Sequence, residues 1–134
     1  MEPTFRAGER LLVDPAAYKH EPPAHGDLVI IADPAANERR LLKRVIGVPG
    51  DFVRVTIDGV ERRGAAAPSP GAPPGGLEEL EVPPEHVFVL SDRPTRTRDS
   101  RQFGPIPNST VLGRVWYRYH PPERAGEVEP GANP

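Results

Sequence analysis

Residues 41–51 read Leu41-Leu42-Lys43-Arg44-Val45-Ile46-Gly47-Val48-Pro49-Gly50-Asp51, a run in which a single lysine stands among apolar, β-branched residues before an abrupt turn. A run of this length and composition predicts a strand. Burial deprives an ammonium group of its water and lowers its pKa, so a lysine in such a strand can be neutral near pH 7 and act as a general base. The segment alone also fits an exposed strand lysine, which is the commoner case.

The composition of the whole chain favours a β protein with one domain. Its 134 residues are enough for one core but not for two. Proline and glycine contribute 19 and 13 residues, about twice their usual share. Because 37% of the residues are still hydrophobic, this composition indicates a loop-rich β fold and not a helical one.

Charge and cysteine content exclude several classes of function. The net charge is −2, and the arginines between residues 93 and 101 alternate with aspartates, which argues against a nucleic-acid surface. The chain has no cysteine and its four histidines lack ligand spacing, so we expect no metal and no cofactor. No apolar run reaches about 18 residues, so the 134-residue chain is expected to be soluble.

Six short β-type runs alternate with turns rich in proline and glycine. They cover residues 10–13, 27–32, 39–48, 52–57, 86–90 and 110–119. Residues 64–76, almost entirely Ala, Pro, Gly and Ser, are predicted to form a flexible loop, and residues 121–134 a disordered tail. No segment keeps a helical period over ten residues. The predicted architecture is therefore all-β, with mostly antiparallel sheets and long connections.

Four segments carry motifs that occur together in one known family. They are 1–13, which opens Met1-Glu2-Pro3-Thr4-Phe5; 25–30, His25-Gly26-Asp27-Leu28-Val29-Ile30; 43–51, quoted above; and 91–107, which includes Ser91-Asp92-Arg93 and Asp99-Ser100-Arg101. In this order they resemble the conserved blocks of type I signal peptidases, the bacterial serine proteases that remove signal sequences. Four ordered matches are far more specific than any one of them. The chain is identified as a member of this family, with a signal-peptidase-like catalytic domain over residues 1–120.

The resemblance implies a serine endopeptidase with a Ser/Lys dyad, in which Lys43 is the general base. Thr97 matches a hydroxyl residue that orients this lysine. Asp99 and Arg101 match an ion pair that holds the last block against the active-site floor, with Ser100 as a packing or hydrogen-bonding residue beside them. Their two-residue spacing puts Asp99 and Arg101 on one face of an extended chain. A plain surface pair is the alternative.

The implied substrates are precursor proteins with signal or pro-peptides, cut after small residues such as alanine. By resemblance, the small apolar substrate pockets are bordered by Met1, Phe5, Leu41 and Leu42, for which core packing is the alternative. The substrate is expected to lie extended beside the strand that contains Lys43 and to add main-chain hydrogen bonds as an extra strand.

The family is expected at the plasma membrane with an extracytoplasmic catalytic domain. Trp116, Tyr117 and Tyr119 are amphipathic aromatics of the kind that favours membrane interfaces, so a membrane surface is a second candidate partner. Packing in a terminal strand is the commoner role for such residues.

The chain departs from the family pattern at three positions. The nucleophilic serine would directly precede Met1 and lies outside the 134-residue sequence, so this sequence by itself is expected to be inactive. Ser91 stands where the family usually has glycine, and Arg93 where it usually has asparagine. Two alternatives therefore stay open beside a membrane signal peptidase: a soluble precursor-maturation protease of the same family, and a catalytically inactive module that binds extended peptides.

Overall fold

The computed structural model describes residues 10–56, 59–63, 79–91 and 98–128, which form ten strands and one short helix. Single 3-10 turns at Asn108–Thr110 and Pro122–Arg124 flank the longest carboxyl-terminal strand. Among these residues, no helix has the length and apolar character needed to cross a bilayer. The elements are β1 Arg10–Asp14, β2 Leu28–Asp33, β3 Ala36–Gly47, β4 Phe52–Thr56, β5 Gly59–Arg63, β6 Glu79–Glu81, β7 His86–Leu90, α1 Ser100–Phe103, β8 Ile106–Pro107, β9 Val111–His120 and β10 Gly126–Glu127.

The strands form two antiparallel sheets. The larger has the order β1-β9-β2-β3-β7-β8, with β10 pairing to the end of β9, and the smaller has the order β5-β4-β6. The predicted all-β, mostly antiparallel fold is confirmed, and each of the six predicted runs contains a strand. The sequence did not predict β5, β6, β8 or β10, which are two to five residues long and carry no clear apolar alternation.

The core follows from the alternation of side chains along β2, β3 and β7. One face of the large sheet buries a cluster of β-branched residues, and each such burial stabilises the fold by about 1.5–3 kcal/mol relative to exposure. This inner cluster consists of Val29, Ile31, Val45, Val87, Val89 and Ile106. The opposite face buries Leu28 and Val115, and a third cluster around Phe88 and Val53 joins the two sheets.

Two aspartates hold the turns on either side of the β2–β3 pair. The Asp27 carboxylate accepts hydrogen bonds from the Tyr18 hydroxyl at 2.7 Å and from the Ala24 N–H at 3.0 Å. The Asp51 carboxylate accepts the Val48 N–H at 2.9 Å and contacts His25 Nε2 at 2.5 Å. The second and third sequence blocks thus supply the turns that fix where β2 begins and where β3 ends.

The carboxyl-terminal segment is longer in the fold than the sequence predicts. A disordered tail was expected from residue 121, but β10 pairs with β9, and the Val128 N–H donates to the Trp116 carbonyl at 2.9 Å. Pairing is available there because β2 contacts β9 only as far as Arg114 and leaves the same edge of β9 open beyond it. Residues 129–134 and the predicted loop 64–76 lie outside the described residues.

Gly113 lies where β9 passes closest to β1. A Cβ at this position would stand 2.7 Å from the Asp14 carbonyl oxygen and 2.7 Å from Val13 Cγ1. We expect Gly113→Ala to lower the free energy of unfolding by about 1–3 kcal/mol, because the backbone of β1 must move away. Urea unfolding measures this change. An unaltered midpoint would contradict the prediction and show that β1 can move away without loss of stability.

Candidate active site

Lys43 projects from β3 into the inner apolar cluster. It lies on the same face of the strand as Leu41 and Val45, which both pack in that cluster. Its partner across the ladder is Val29 of β2. Only 2% of the Lys43 surface is exposed. Lys43 is therefore buried, as its apolar sequence neighbours allow, and the alternative of an exposed strand lysine is wrong.

The surroundings of Lys43 favour its neutral form. Burial lowers the pKa of Lys43 below its ordinary value of 10.5. The carboxylates of Asp99 and Asp33 oppose this change and the Arg101 guanidinium adds to it, but burial dominates. A lowered pKa increases the fraction of amine that has a free lone pair, which is the form able to take a proton from a nucleophile.

Ser91 supplies a hydroxyl beside the lysine. Lys43 Nζ donates to Ser91 Oγ at 2.6 Å, and both residues are buried. In the antiparallel ladder of β3 and β7, Arg44 pairs with Leu90 and Val45 with Val89, so one step further along the same register Ser91 stands opposite Lys43. From the sequence alone, Ser91 is only a departure from the family pattern. Its contact with Lys43 follows from the pairing of two strands that are distant in sequence, which a short stretch of sequence does not show.

Asp99 is a fully buried carboxylate that accepts four hydrogen bonds. Arg101 donates Nε to Oδ1 at 3.0 Å and Nη2 to Oδ2 at 2.8 Å, and its backbone N–H donates to Oδ1 at 3.0 Å. The Ser91 N–H donates to Oδ2 at 3.1 Å. Burial alone would raise the pKa of Asp99, but these hydrogen bonds outweigh it and hold the pKa below the ordinary value of 3.8.

The Asp99–Arg101 pair forms at a helix start and not along an extended chain, which corrects the predicted geometry. Asp99 is the N-cap of α1, and the Gln102 side chain completes a capping box by accepting the Asp99 N–H at 2.9 Å. The alternative of a plain surface pair is also wrong, because Asp99 is 0% exposed. The Asp-x-x-Gln spacing is a known sequence sign of a helix start and could have revealed the cap.

Ser100 joins α1 to the neighbouring strand. Its Oγ accepts the Val89 N–H at 2.9 Å, and the residue is buried. This is the hydrogen-bonding position that the sequence predicts for Ser100, and the contact holds α1 against β7.

The structure separates the two predicted pocket residues that it describes. Leu41 packs against the inner cluster beside Lys43, whereas Leu42 packs on the opposite face with Leu28 and Val115. Adjacent strand residues point to opposite faces of a sheet, so the two leucines cannot line one pocket wall together. The other predicted site residues, Met1, Phe5 and Thr97, lie outside the described residues.

Among the described residues, one edge of β3 has no strand partner over the residues that lead up to Lys43. β2 pairs with one edge of β3 from Ala36 to Arg44, but β7 pairs with the other edge only from Arg44 to Gly47. Within the described ranges, no strand pairs with that second edge at residues 39–42, and Ser91 stands opposite Lys43 at the end of this stretch. An extended peptide added there would run directly up to Lys43.

A desolvated lysine amine beside a buried hydroxyl, on an all-β scaffold, is typical of hydrolases that use lysine where others use histidine. Residues 1–120 match the family described as signal peptidase, peptidase S26. The chain belongs to this family, and it is a protease of the signal peptidase type. No group of three or more histidine and carboxylate side chains suited to a metal ion occurs in the part of the chain that the structure describes.

Known relatives agree with this assignment along nearly the whole chain. The chain is 34% identical over 131 residues to the mitochondrial ATP-independent inner membrane protease subunit 1b of Arabidopsis thaliana, covering 97% of this chain and 70% of the relative. It is 33% identical over 143 residues to signal peptidase I of Leptolyngbya laminosa, covering 97% and 69%. The crystal structure of a signal peptidase I from Enterococcus faecalis matches with a TM-score of 0.52 at 25% identity, over 69% of this chain and 95% of that one.

The depressed pKa of Asp99 predicts a pH-dependent stability. The stabilisation due to the charged carboxylate is complete above its unfolded-state pKa of 3.8 and is lost as the pH falls through the lower pKa of the folded state. We expect Asp99→Asn to lower the free energy of unfolding by about 3 kcal/mol at pH 7, because it leaves Arg101 without its charged partner. The difference from the wild type should shrink at acidic pH.

Urea unfolding at a series of pH values between 7 and 2 measures this difference. Glu123→Gln, which removes an exposed carboxylate, is the matched control for the loss of one negative charge. A deficit in Asp99→Asn that stays constant down to pH 2 would contradict the assigned role of the charge.

Proposed function

We propose that this chain is the catalytic domain of a serine endopeptidase of the signal peptidase I type, which cleaves signal or pro-peptides from precursor proteins after small residues. The observation that carries the proposal is the Lys43 amine, 2% exposed in the inner cluster and 2.6 Å from a hydroxyl. The nucleophile would be the serine that the family pattern places directly before Met1. The family match over residues 1–120 supports this assignment.

Lys43 acts twice in the proposed reaction. The neutral amine takes the proton of the serine hydroxyl as its oxygen attacks the carbonyl carbon of the substrate, and it returns this proton to the departing amine. In the second half, the Lys43 amine takes a proton from water as the water oxygen attacks the carbonyl carbon of the acyl-enzyme, and it gives this proton to the serine oxygen as the ester bond breaks. Thr97, by resemblance, contributes a hydroxyl to the lysine during these transfers.

The substrate binds as an additional strand along β3. In the described part of the chain, residues 39–42 have no strand partner on this edge and offer main-chain donors and acceptors, so a peptide paired there extends toward the Lys43 amine. Successive side chains of an extended peptide also point to opposite faces. Leu41 and Leu42, on opposite faces of β3, therefore contact different substrate positions.

A membrane surface is the proposed setting of the reaction. The names of several relatives place them at membranes, in the mitochondrial inner membrane and the thylakoid. Trp116 and Tyr119 on β9 are 39% and 45% exposed and are of the type found at membrane interfaces. For this chain we propose the plasma membrane with the catalytic domain on the extracytoplasmic side.

The mechanism predicts that activity depends on Lys43 and not on the other lysine of the chain. In protein extended by a serine directly before Met1, Lys43→Ala should reduce cleavage of an Ala-x-Ala peptide by at least about a hundredfold, the usual contribution of a general base. The chain has only two lysines, so Lys19→Ala, at an exposed position, is the matched control and should keep full activity.

The same assay separates the proposed enzyme from a peptide-binding module. Cleavage that rises with one ionisation and vanishes in Lys43→Ala supports the mechanism. Peptide binding without cleavage in the serine-extended protein would instead favour the inactive module, and unchanged cleavage in Lys43→Ala would overturn the assignment of the base.

The opposite orientation of the two leucines predicts distinct effects on specificity. Leu41→Phe and Leu42→Phe should each alter the preference for small residues near the cut, because a larger side chain narrows the adjacent pocket. Since the two side chains project to opposite faces, the variants should change the preference at different substrate positions. A peptide library profiled with each variant measures this, and an unaltered profile in both would remove the leucines from the substrate site.

A further inference from the structure

The hydroxyl of Ser91 is the described side-chain group that Lys43 contacts through its amine. The donor–acceptor distance of 2.6 Å is short for an N–H···O hydrogen bond, and neither residue is more than 7% exposed. A neutral amine has two N–H donors and one lone pair. A hydrogen bond that fixes one donor restricts rotation about the terminal C–N bond and thereby limits the directions in which the lone pair can point.

Ser91 is itself held from the other side. Its N–H donates to the Asp99 carboxylate at 3.1 Å, and the same carboxylate is held by two side-chain hydrogen bonds from Arg101 and by the cap of α1. The register of β3 and β7 independently sets Ser91 opposite Lys43. The backbone of Ser91 is thus fixed by both a strand register and a buried ion pair, which restricts where its hydroxyl can lie.

We propose that Ser91 is a positioning residue that orients the Lys43 amine through its hydroxyl. Because this role presupposes Lys43 as the base, it rests on the proposed function, and it adds a residue at a position where the family resemblance leads one to expect glycine. In this chain the lysine thus has a hydroxyl partner from the strand beside it, in addition to the one that the resemblance assigns to Thr97.

A role for Ser91 as the nucleophile fits the contacts less well. The backbone N–H of a nucleophilic serine commonly helps to bind the oxyanion that forms during attack. Here that N–H is already donated to Asp99, and the carboxylate charge would oppose a second negative charge nearby. The side chain is also buried, so a substrate carbonyl has little access to it.

The charged groups around Lys43 determine what the loss of Ser91 should do. The carboxylates of Asp33, at the end of β2, and of Asp99, at the start of α1, favour the ammonium form, while Arg101 disfavours it. The Ser91 oxygen accepts a hydrogen bond from the amine, and an acceptor stabilises the charged form more than the neutral one. Removing this oxygen should therefore lower the pKa of Lys43 further.

The test is a direct titration of Lys43 in the full chain. With isotopically labelled lysine, NMR gives two side-chain signals, and Lys43→Ala assigns them. We expect Ser91→Ala to lower the titration midpoint of Lys43 by about one pH unit, the shift that corresponds to about 1.4 kcal/mol. Ser91→Thr, which keeps the hydroxyl, should leave the midpoint close to that of the wild type.

Ser100→Ala is the matched control. It also removes a buried hydroxyl, but one that accepts the Val89 N–H, so it should leave the midpoint of Lys43 in place. An unchanged midpoint in Ser91→Ala, or an equal shift in Ser100→Ala, would overturn the proposal. If Ser91→Ala does not fold, Ser91→Gly provides the same measurement with the residue that the family pattern has here.

An activity assay separates this inference from the proposed function. In protein extended by a serine before Met1, Ser91→Ala should lower kcat by about ten- to a hundredfold with little change in KM, and Ser91→Thr should restore it. A midpoint shift in protein that never cleaves would support the Ser91 contact and overturn the proposed function. Cleavage that needs Lys43 but is unaffected by Ser91→Ala would support the proposed function and overturn the role of Ser91. Labelling of Ser91 by a serine-reactive phosphonate would identify Ser91 as the nucleophile and would also overturn its positioning role.

Discussion

The buried carboxylate of Asp99 is the group on which the geometry of the site depends. A carboxylate without solvent is costly unless hydrogen-bond donors surround it, and Arg101 together with two backbone N–H groups meets this need. The Ser91 and Val89 N–H groups both point away from β3, as residues two apart on a strand must, and they end on the side chains of Asp99 and Ser100. The start of α1 thus closes the outer edge of β7 where β8 stops, and it fixes the residue that contacts Lys43.

The Arg101 guanidinium also limits how far the neighbouring Asp99 carboxylate raises the pKa of Lys43. Asp99 alone would stabilise the ammonium form and raise the pKa of the lysine. Because its two oxygens are engaged by the guanidinium, the positive charge of Arg101 offsets part of its effect on Lys43, and burial remains the dominant influence. The ion pair of Asp99 and Arg101 therefore affects the chemistry of the site as well as its structure, because the pKa of Lys43 is lowered although a carboxylate lies nearby.

The local sequence pattern predicted the strands and singled out Lys43, because short stretches such as residues 39–48 show which residues are apolar and how they alternate. The pattern did not predict contacts that depend on the pairing of strands distant in sequence. Ser91 contacts a residue 48 positions away, and only the register of β3 with β7 brings them together. The helix at residue 100 has four residues, too short for a periodicity search, although its capping box was visible. The family resemblance placed both Leu41 and Leu42 at the substrate pockets, whereas strand geometry puts them on opposite faces of the sheet.

As far as the structure describes the chain, the edge of β3 before Lys43 has no strand partner, whereas the outer edge of β7 is closed by β8 and α1. Proteins usually cover, shorten or charge an open strand edge, because it can pair with other chains. Residues 38–40 of β3, Glu38, Arg39 and Arg40, are exposed and charged, which discourages indiscriminate pairing at the start of this edge. The apolar Leu41 and Leu42 follow directly, and then Lys43. In the described part of the chain, this edge therefore carries charge as far as Arg40 and is apolar over the two residues that precede the buried Lys43.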